Sequence, residues 1–324
     1  MTKEQTVAAR GEWRRAAADY AGMALVLAVL TAVFGMTARN FLTMHTLQMI
    51  ANQIPSLVVV SVGMTYVLVI AGIDLSVGSV LALSGAVLGV ALVKFSLPLP
   101  LALCACLGTG AACGLLGGAL TARWGLPSFI VTLGMLEAAR GGAYLVTRSQ
   151  TMYIGAQIER IAEWTLLGFS LPFLLAVAVV LAGQVVLSRT VFGRRMIAIG
   201  TNEEAVRLGG IDPRPVKIAV FGLSGLLAGL GAIIQCSRLG SADPNAAAGF
   251  ELQAIAAVVI GGTSLMGGRG SVISTFFGVL IISVLGVGLA QVGAQEPTKR
   301  LITGLVILAA VLFDQYRQRR MRRD

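Results

Sequence analysis

The chain has 324 residues, of which 56% are apolar and only 12% charged, with a mean hydropathy of +0.84. A soluble domain carries about 25% charged residues, so these figures exclude a soluble enzyme and point to a polytopic membrane protein. The net charge of +10 does not indicate nucleic acid, because the basic residues gather at the ends of apolar runs with no aromatic interleaving.

Residues 1–19 form a polar, basic head with Lys3, Arg10, Arg14 and Arg15. The apolar run behind it, Tyr20 to Thr37, is long for the core of a signal peptide and reads as a retained first span. Further apolar runs follow at roughly 46–71, 75–93, 99–121, 127–147, 170–188, 215–236, 251–265, 271–291 and 298–313. At about 20 residues per crossing, residues 20–314 read as an all-α domain of about ten transmembrane helices. A basic tail follows at 315–324, with five arginines between Arg317 and Arg323. An even number of spans puts both ends on one side. With the N-terminus cytoplasmic, 17 basic residues fall inside and seven outside, Arg140 lying within a span. Both termini are therefore expected in the cytoplasm.

Glycine is abundant, at 40 residues, and recurs at four-residue spacing in Gly110, Gly114 and Gly118 and in Gly225 and Gly229. Such stripes let helix backbones approach closely in lipid. Cys104, Cys106, Cys113 and Cys236 lie inside apolar runs without metal-ligand spacing and are expected as buried core residues. The single histidine, His45, excludes a histidine-based metal site or triad. None of the four lysines follows a glycine, so there is no P-loop and the chain does not hydrolyse ATP alone.

Two polar interruptions inside apolar runs resemble each other. One runs from Val69 through Gly72, Asp74, Ser76 and Gly78 to Val80; the other runs from Val259 through Gly261, Thr263, Ser264 and Gly270 to Val272. Each reads as a helix stopped by glycine, a polar turn, then a new helix. The pair suggests an internal pseudo-repeat whose broken helices expose backbone groups to a polar substrate, although two ordinary loops at a membrane face would look alike. Asp74 either caps the following helix or lines a water-filled cavity. Ser76, Thr263 and Ser264 share these breaks. Asn52 and Gln53, beside the kink expected at Pro55, join Gln235 and Glu251 as further pathway candidates. Glu137 and Arg140, three apart on one helix, are expected to form a structural ion pair.

The inside loop at 189–217 is the most informative polar stretch. Thr201 or Asn202 is a natural N-cap, Glu203 and Glu204 occupy a first helical turn, and Gly209 or Gly210 ends the helix. A short capped helix between spans either docks in a partner's groove or lies on the lipid surface. Its exposed acids speak against an anionic bilayer.

These residues resemble the permease subunits of bacterial ABC importers for monosaccharides, the ribose, xylose, arabinose and galactoside type, and look closest to ribose permeases. The resemblance covers residues 40–314. It is carried by Val62 to Thr65, by GIDLSVGS from Gly72 to Ser79, by FIVTLGMLEAARG from Phe129 to Gly141, by Gly193 to Ile211, and by Gly249 to Ser271. Phe250, Gln253 and Glu204 depart from the family's usual Tyr, Asp and Ala. The resemblance implies a permease homodimer in the bacterial inner membrane, a cytoplasmic ABC ATPase and a periplasmic sugar-binding protein. ATP and Mg would be bound by the ATPase, with no cofactor or metal in this chain. It also implies that Gly200, Thr201, Asn202, Glu203, Glu204, Ala205, Arg207 and Gly209 form the segment that seats on the ATPase. An ion-coupled secondary transporter, an ABC permease for branched-chain amino acids and a membrane enzyme are the competing readings. The first would need a titratable site, for which Asp74 is the candidate. The last lacks histidines and clustered carboxylates.

Overall fold

Long runs of Val, Leu, Ala and Ile fold as helices in lipid, because only there can each segment satisfy its own backbone groups. The computed structural model describes residues 3–166, 168–295, 297–306 and 308–309, with side chains from Tyr20 onward. Helix α1 (Lys3–Thr37) is unbroken, so the basic head continues the helix of the first span. Helices α2 (Met44–Gln53) and α3 (Pro55–Val69) form one run bent by 46° around Ile54, where Pro55 takes the first helical position and needs no amide partner. Helices α4 (Val77–Val93), α5 (Leu99–Trp124) and α6 (Ser128–Thr147) follow. A hairpin-like excursion then carries strand β1 (Met152–Tyr153), helix α7 (Ala156–Glu163) and strands β2 (Thr165–Leu166) and β3 (Phe169–Ser170). Helix α8 (Leu171–Arg189) leads to the short helices α9 (Val191–Thr201) and α10 (Glu203–Leu208). Helix α11 (Arg214–Leu239), strand β4 (Ser241–Ala242), α12 (Phe250–Ile260) and α13 (Val272–Gln291) complete the named elements, and residues 297–306 are helical. Antiparallel pairs join β1 to β4 and β2 to β3.

The all-α polytopic class stands. Among the described residues six helices are long and apolar enough to cross a membrane, and the bent α2–α3 pair makes a seventh. The expected ten is not reached as whole helices: α4 and α12 have 17 and 11 residues, and the run at 298–313 lies partly outside the described residues.

Helix α11 is the spine against which the bundle can be measured. Helix α5 crosses it through the glycine stripes expected from sequence: a methyl group added at Gly110 would strike Gly225 O, and one at Gly114 would strike Phe221 O. Close backbone approach gains dispersion contact that lipid does not supply. Helix α3, buried along its whole length, runs antiparallel to α11, with Ser56 Oγ donating to Gly231 O at 3.1 Å and Gly63 facing Ser224. Helix α4 runs parallel to α11: Leu81 meets Gly231, Gly85 meets Cys236, and Gly89 meets Ala242. Helix α4 therefore begins beside the middle of α11, and residues 70–76 climb to that depth in non-helical chain. The stretch after β4 does the converse. Starting at the level of Gly89, it descends until Ala247 and Phe250 reach Gly78, so α12 also begins at mid-depth. Two half-helices thus point their first turns at each other inside the bundle.

The cysteine expectation holds only in part. Cys106 and Cys236 are buried and Cys113 is half-buried, but Cys104 is exposed on the outer face of α5. Position in an apolar run does not fix which face of a helix a residue takes.

Candidate functional site

The site grows from the chain that leaves α3. Ala71 adopts a left-handed φ of 59°, uncommon without glycine, and turns the chain back into the bundle. The climbing segment is stitched to the first turns of α6: Ile73 N donates to Ser128 Oγ at 3.0 Å and Leu75 N to Thr132 Oγ1 at 3.1 Å. Asp74 secures the rest. Its Oδ1 accepts from Ser76 N at 3.0 Å and Ser76 Oγ at 2.6 Å, and its Oδ2 accepts from Ser224 Oγ on α11 at 2.9 Å. Asp74 is 2% exposed, with every bond directed to protein. It braces the break between two helices, just ahead of α4, and caps no amide of α4 itself.

At the same depth Glu251, in the first turn of α12, lays Oε2 against Gly78 in the first turn of α4; a methyl group there would lie 2.5 Å from it. This oxygen is buried with no hydrogen-bond partner among the described residues. The amide ends of both half-helices offset its charge. Arg140 closes the arrangement from α6. It donates to Pro244 O at 2.7 Å and Ala246 O at 2.9 Å, pinning the descending chain before α12. The expected Glu137–Arg140 ion pair is absent, because two carbonyls of the loop before α12 draw the guanidinium away from Glu137.

The second break, residues 261–271, lies one level away, at the end of the bundle that carries α9 and α10. Gly268 N donates to Val69 O at 2.9 Å, so the two breaks touch. Within it Ser264 Oγ accepts from Met266 N at 3.2 Å, and Thr263 is fully buried, its hydroxyl without a partner among the described residues. Gly200, near the end of α9, packs onto both breaks at once: a methyl group there would strike Val69 O and crowd Gly268 N. Only glycine admits that approach.

Beyond Gly200 the chain turns into α10. Thr201 ends α9, and Asn202 is the cap: its Oδ1 accepts from Ala205 N at 3.0 Å. Six residues make a marginal helix, and ion pairs support it. Arg207 lies 3.3 Å from Glu203 and 3.7 Å from Glu204, and Lys217 of α11 lies 2.8 Å from Glu203. Gly209 follows as the C-cap. No residue of α10 is buried, and Leu208 is 82% exposed beside these charges. Such a corner suits a groove on a partner.

Other sequence candidates lie apart. Asn52 and Gln53 are exposed at the bend before α3, at the end of α3 remote from the breaks. Gln235 is half-buried on α11, about three turns beyond Ser224. Sequence reading missed Gln184, whose Oε1 accepts from Val272 N at 2.9 Å and Ile273 N at 3.3 Å and so caps α13. A lone amide inside the apolar run of α8 was its signal. Two cavities of about 690 and 770 Å³ lie elsewhere: between α1 and Phe277 of α13, and around Arg160 and Trp164. No cluster of His, Cys, Asp and Glu suited to a metal occurs among the described residues.

Residues 46–311 match the family described as branched-chain amino acid transport system / permease component. The chain belongs to this permease family. Within it the chain is similar to sugar permeases. It is 39% identical to the ribose import permease protein RbsC of Escherichia coli (strain K12) over 319 residues, 97% of this chain and 99% of that one. The fructose import permease protein FrcC of Rhizobium meliloti is 36% identical, covering 91% and 85%. The L-arabinose ABC transporter permease protein AraH of Azospirillum brasilense is 34% identical, covering 93% and 89%. No solved structure matches the chain. Membership makes the chain a multi-pass transport subunit of the inner membrane rather than an enzyme.

Proposed function

We propose that this chain is the membrane-spanning permease of an ABC importer that carries a monosaccharide, ribose or a related sugar, into a bacterial cell. The near full-length similarity to sugar import permeases supports the substrate class. The observation that carries the mechanism is Gly200, seated on Val69 and Gly268 and two residues before Asn202, the cap of α10. Residues 200–209 dock on a cytoplasmic ATPase, which supplies the ATP and Mg that this chain has no P-loop to hold. Two copies of the permease share the complex, and a periplasmic binding protein delivers the sugar. When the ATPase subunits close, α9 and α10 move with them, and Gly200 passes the displacement to both breaks. Asp74, Ser76, Thr263 and Ser264 then shift with the chain that holds them, and access at mid-depth alternates. Glu251 sits at the same junction, while Asn52, Gln53 and Gln235 lie toward the entry side. Both termini face the cytoplasm.

Affinity purification of the tagged permease from its host, followed by mass spectrometry and an ATPase assay, tests this reading. The expected eluate contains an ATPase whose rate rises with sugar-loaded binding protein. The double variant Glu203→Arg, Glu204→Arg reverses all three ion pairs of α10 and is expected to elute without the ATPase while remaining folded. A permease that elutes alone and moves sugar on an ion gradient would overturn the reading in favour of a secondary transporter.

A further inference from the structure

Removing Arg140 from its expected pairing leaves Glu137 with an unexpected position. It stands at the centre of α6, nine residues after Ser128 and ten before Thr147. It is exposed, and no hydrogen bond or ion pair engages it among the described residues. The other two carboxylates at membrane depth are enclosed by protein: Asp74 is sealed by three donors, and Glu251 is packed against Gly78 with Oε2 unpartnered among the described residues. A carboxylate at that depth does not face hydrocarbon, where no donor would solvate it. Its neighbours on the helix face keep it accessible. Gly134 and Gly141, about one turn to either side, look onto open space, with nothing within 4 Å of where their side chains would begin. The same face of α6 also exposes Ile130, Leu133 and Leu145, as the outer face of α5 exposes Leu101 and Leu116; the carboxylate is what sets the α6 face apart.

We infer that the Glu137 face of α6 lines the water-filled passage, and that its carboxylate accepts hydrogen bonds from the hydroxyls of the sugar in transit. The inference rests on the sugar-permease reading and adds to it the group that meets the substrate. Two carboxylate oxygens match two neighbouring hydroxyl donors, the arrangement every unmodified monosaccharide offers. Flanking glycines leave room for the ring to slide past, and the lack of further converging polar groups keeps the contact weak enough to release. Arg140, turned away to the loop carbonyls, leaves the carboxylate uncompensated and available.

The test uses the whole transport complex in native membranes, on a Cys104→Ala background that removes the exposed native thiol. Glu137→Cys is treated with a membrane-impermeant methanethiosulfonate reagent, beside Leu116→Cys as the lipid-facing control. Labelling at 137 and not at 116, slowed several-fold by the transported sugar, is the expected result. Glu137→Gln, which keeps an acceptor and loses the charge, is expected to lower uptake several-fold at unchanged complex yield, with the loss smaller for a deoxy-sugar lacking one hydroxyl of the pair. If Glu137→Cys is unreactive while the parent complex imports sugar, α6 is packed against lipid or a second copy and the inference fails. If it labels without sugar protection and Glu137→Gln transports normally, the hydroxyl contact is refuted. A parent complex that imports no sugar overturns the underlying reading instead.

Discussion

Asp74 shows how a membrane-buried charge can be structural. Its carboxylate takes one backbone and two hydroxyl donors, and those donors come from the break itself and from α11. Removing the acceptor leaves Ser76 N, Ser76 Oγ and Ser224 Oγ without partners in a site closed to water. A buried unpaired polar group costs about 1–3 kcal/mol. Asp74→Ala should therefore lower the melting temperature in detergent markedly. Asp74→Asn should cost far less, because an amide keeps one acceptor for Ser76 and can donate to the Ser224 hydroxyl. Equal melting of Asp74→Ala and the parent protein would remove Asp74 from its bracing role. The contrast with Glu137, a carboxylate with no such partners, separates the two acids by what surrounds them.

The elements that matter most are the ones that are not whole spans. Helices α4 and α12 each cover part of the bundle, and extended chain completes their path. Gly200 then ties the break after α3 to the turn before α13. In Gly200→Ala the added methyl would have to displace Val69 O or Gly268 N, separating α9 from the breaks. The ATPase should still co-purify, since the caps and ion pairs of α10 are untouched, but sugar uptake should fall at least tenfold. Normal uptake by Gly200→Ala would mean that the contact transmits nothing. Much of this geometry was legible beforehand. The GIDLSVGS stretch interrupts an apolar run with polar and glycine residues, and the run of Asn202, Glu203 and Glu204 writes a helix start in side-chain chemistry. The descending chain before α12 was not legible, because its course depends on Gly78 and Arg140, residues more than a hundred positions away. Nor could spacing show that Arg140 would choose carbonyls over Glu137, since an i, i+3 pair is worth only about 0.2–0.5 kcal/mol and two carbonyl acceptors on one guanidinium nitrogen outweigh it.

On the scale of the whole molecule, polarity is written twice, in charge and in architecture. Helix α11 spans about 39 Å at 1.5 Å per residue, with α10 before its first turn and the paired strands β1 and β4 after its last. The basic residues of 189–217 crowd the α10 end, where a bilayer retains positive charge on its cytoplasmic side. Charge bias and the docking corner thus favour the same orientation on independent grounds, the first acting during insertion and the second in the assembled complex. Two exposed side chains report it: Leu208, 82% exposed on α10, and Tyr153, 72% exposed on β1. On the Cys104→Ala background, an impermeant thiol reagent applied to intact spheroplasts should label Tyr153→Cys and spare Leu208→Cys. Inverted membrane vesicles stripped of peripheral subunits should give the opposite pattern. Labelling of Leu208→Cys from outside would place α10 where no ATPase can reach it, and would undo the coupling assignment together with the orientation.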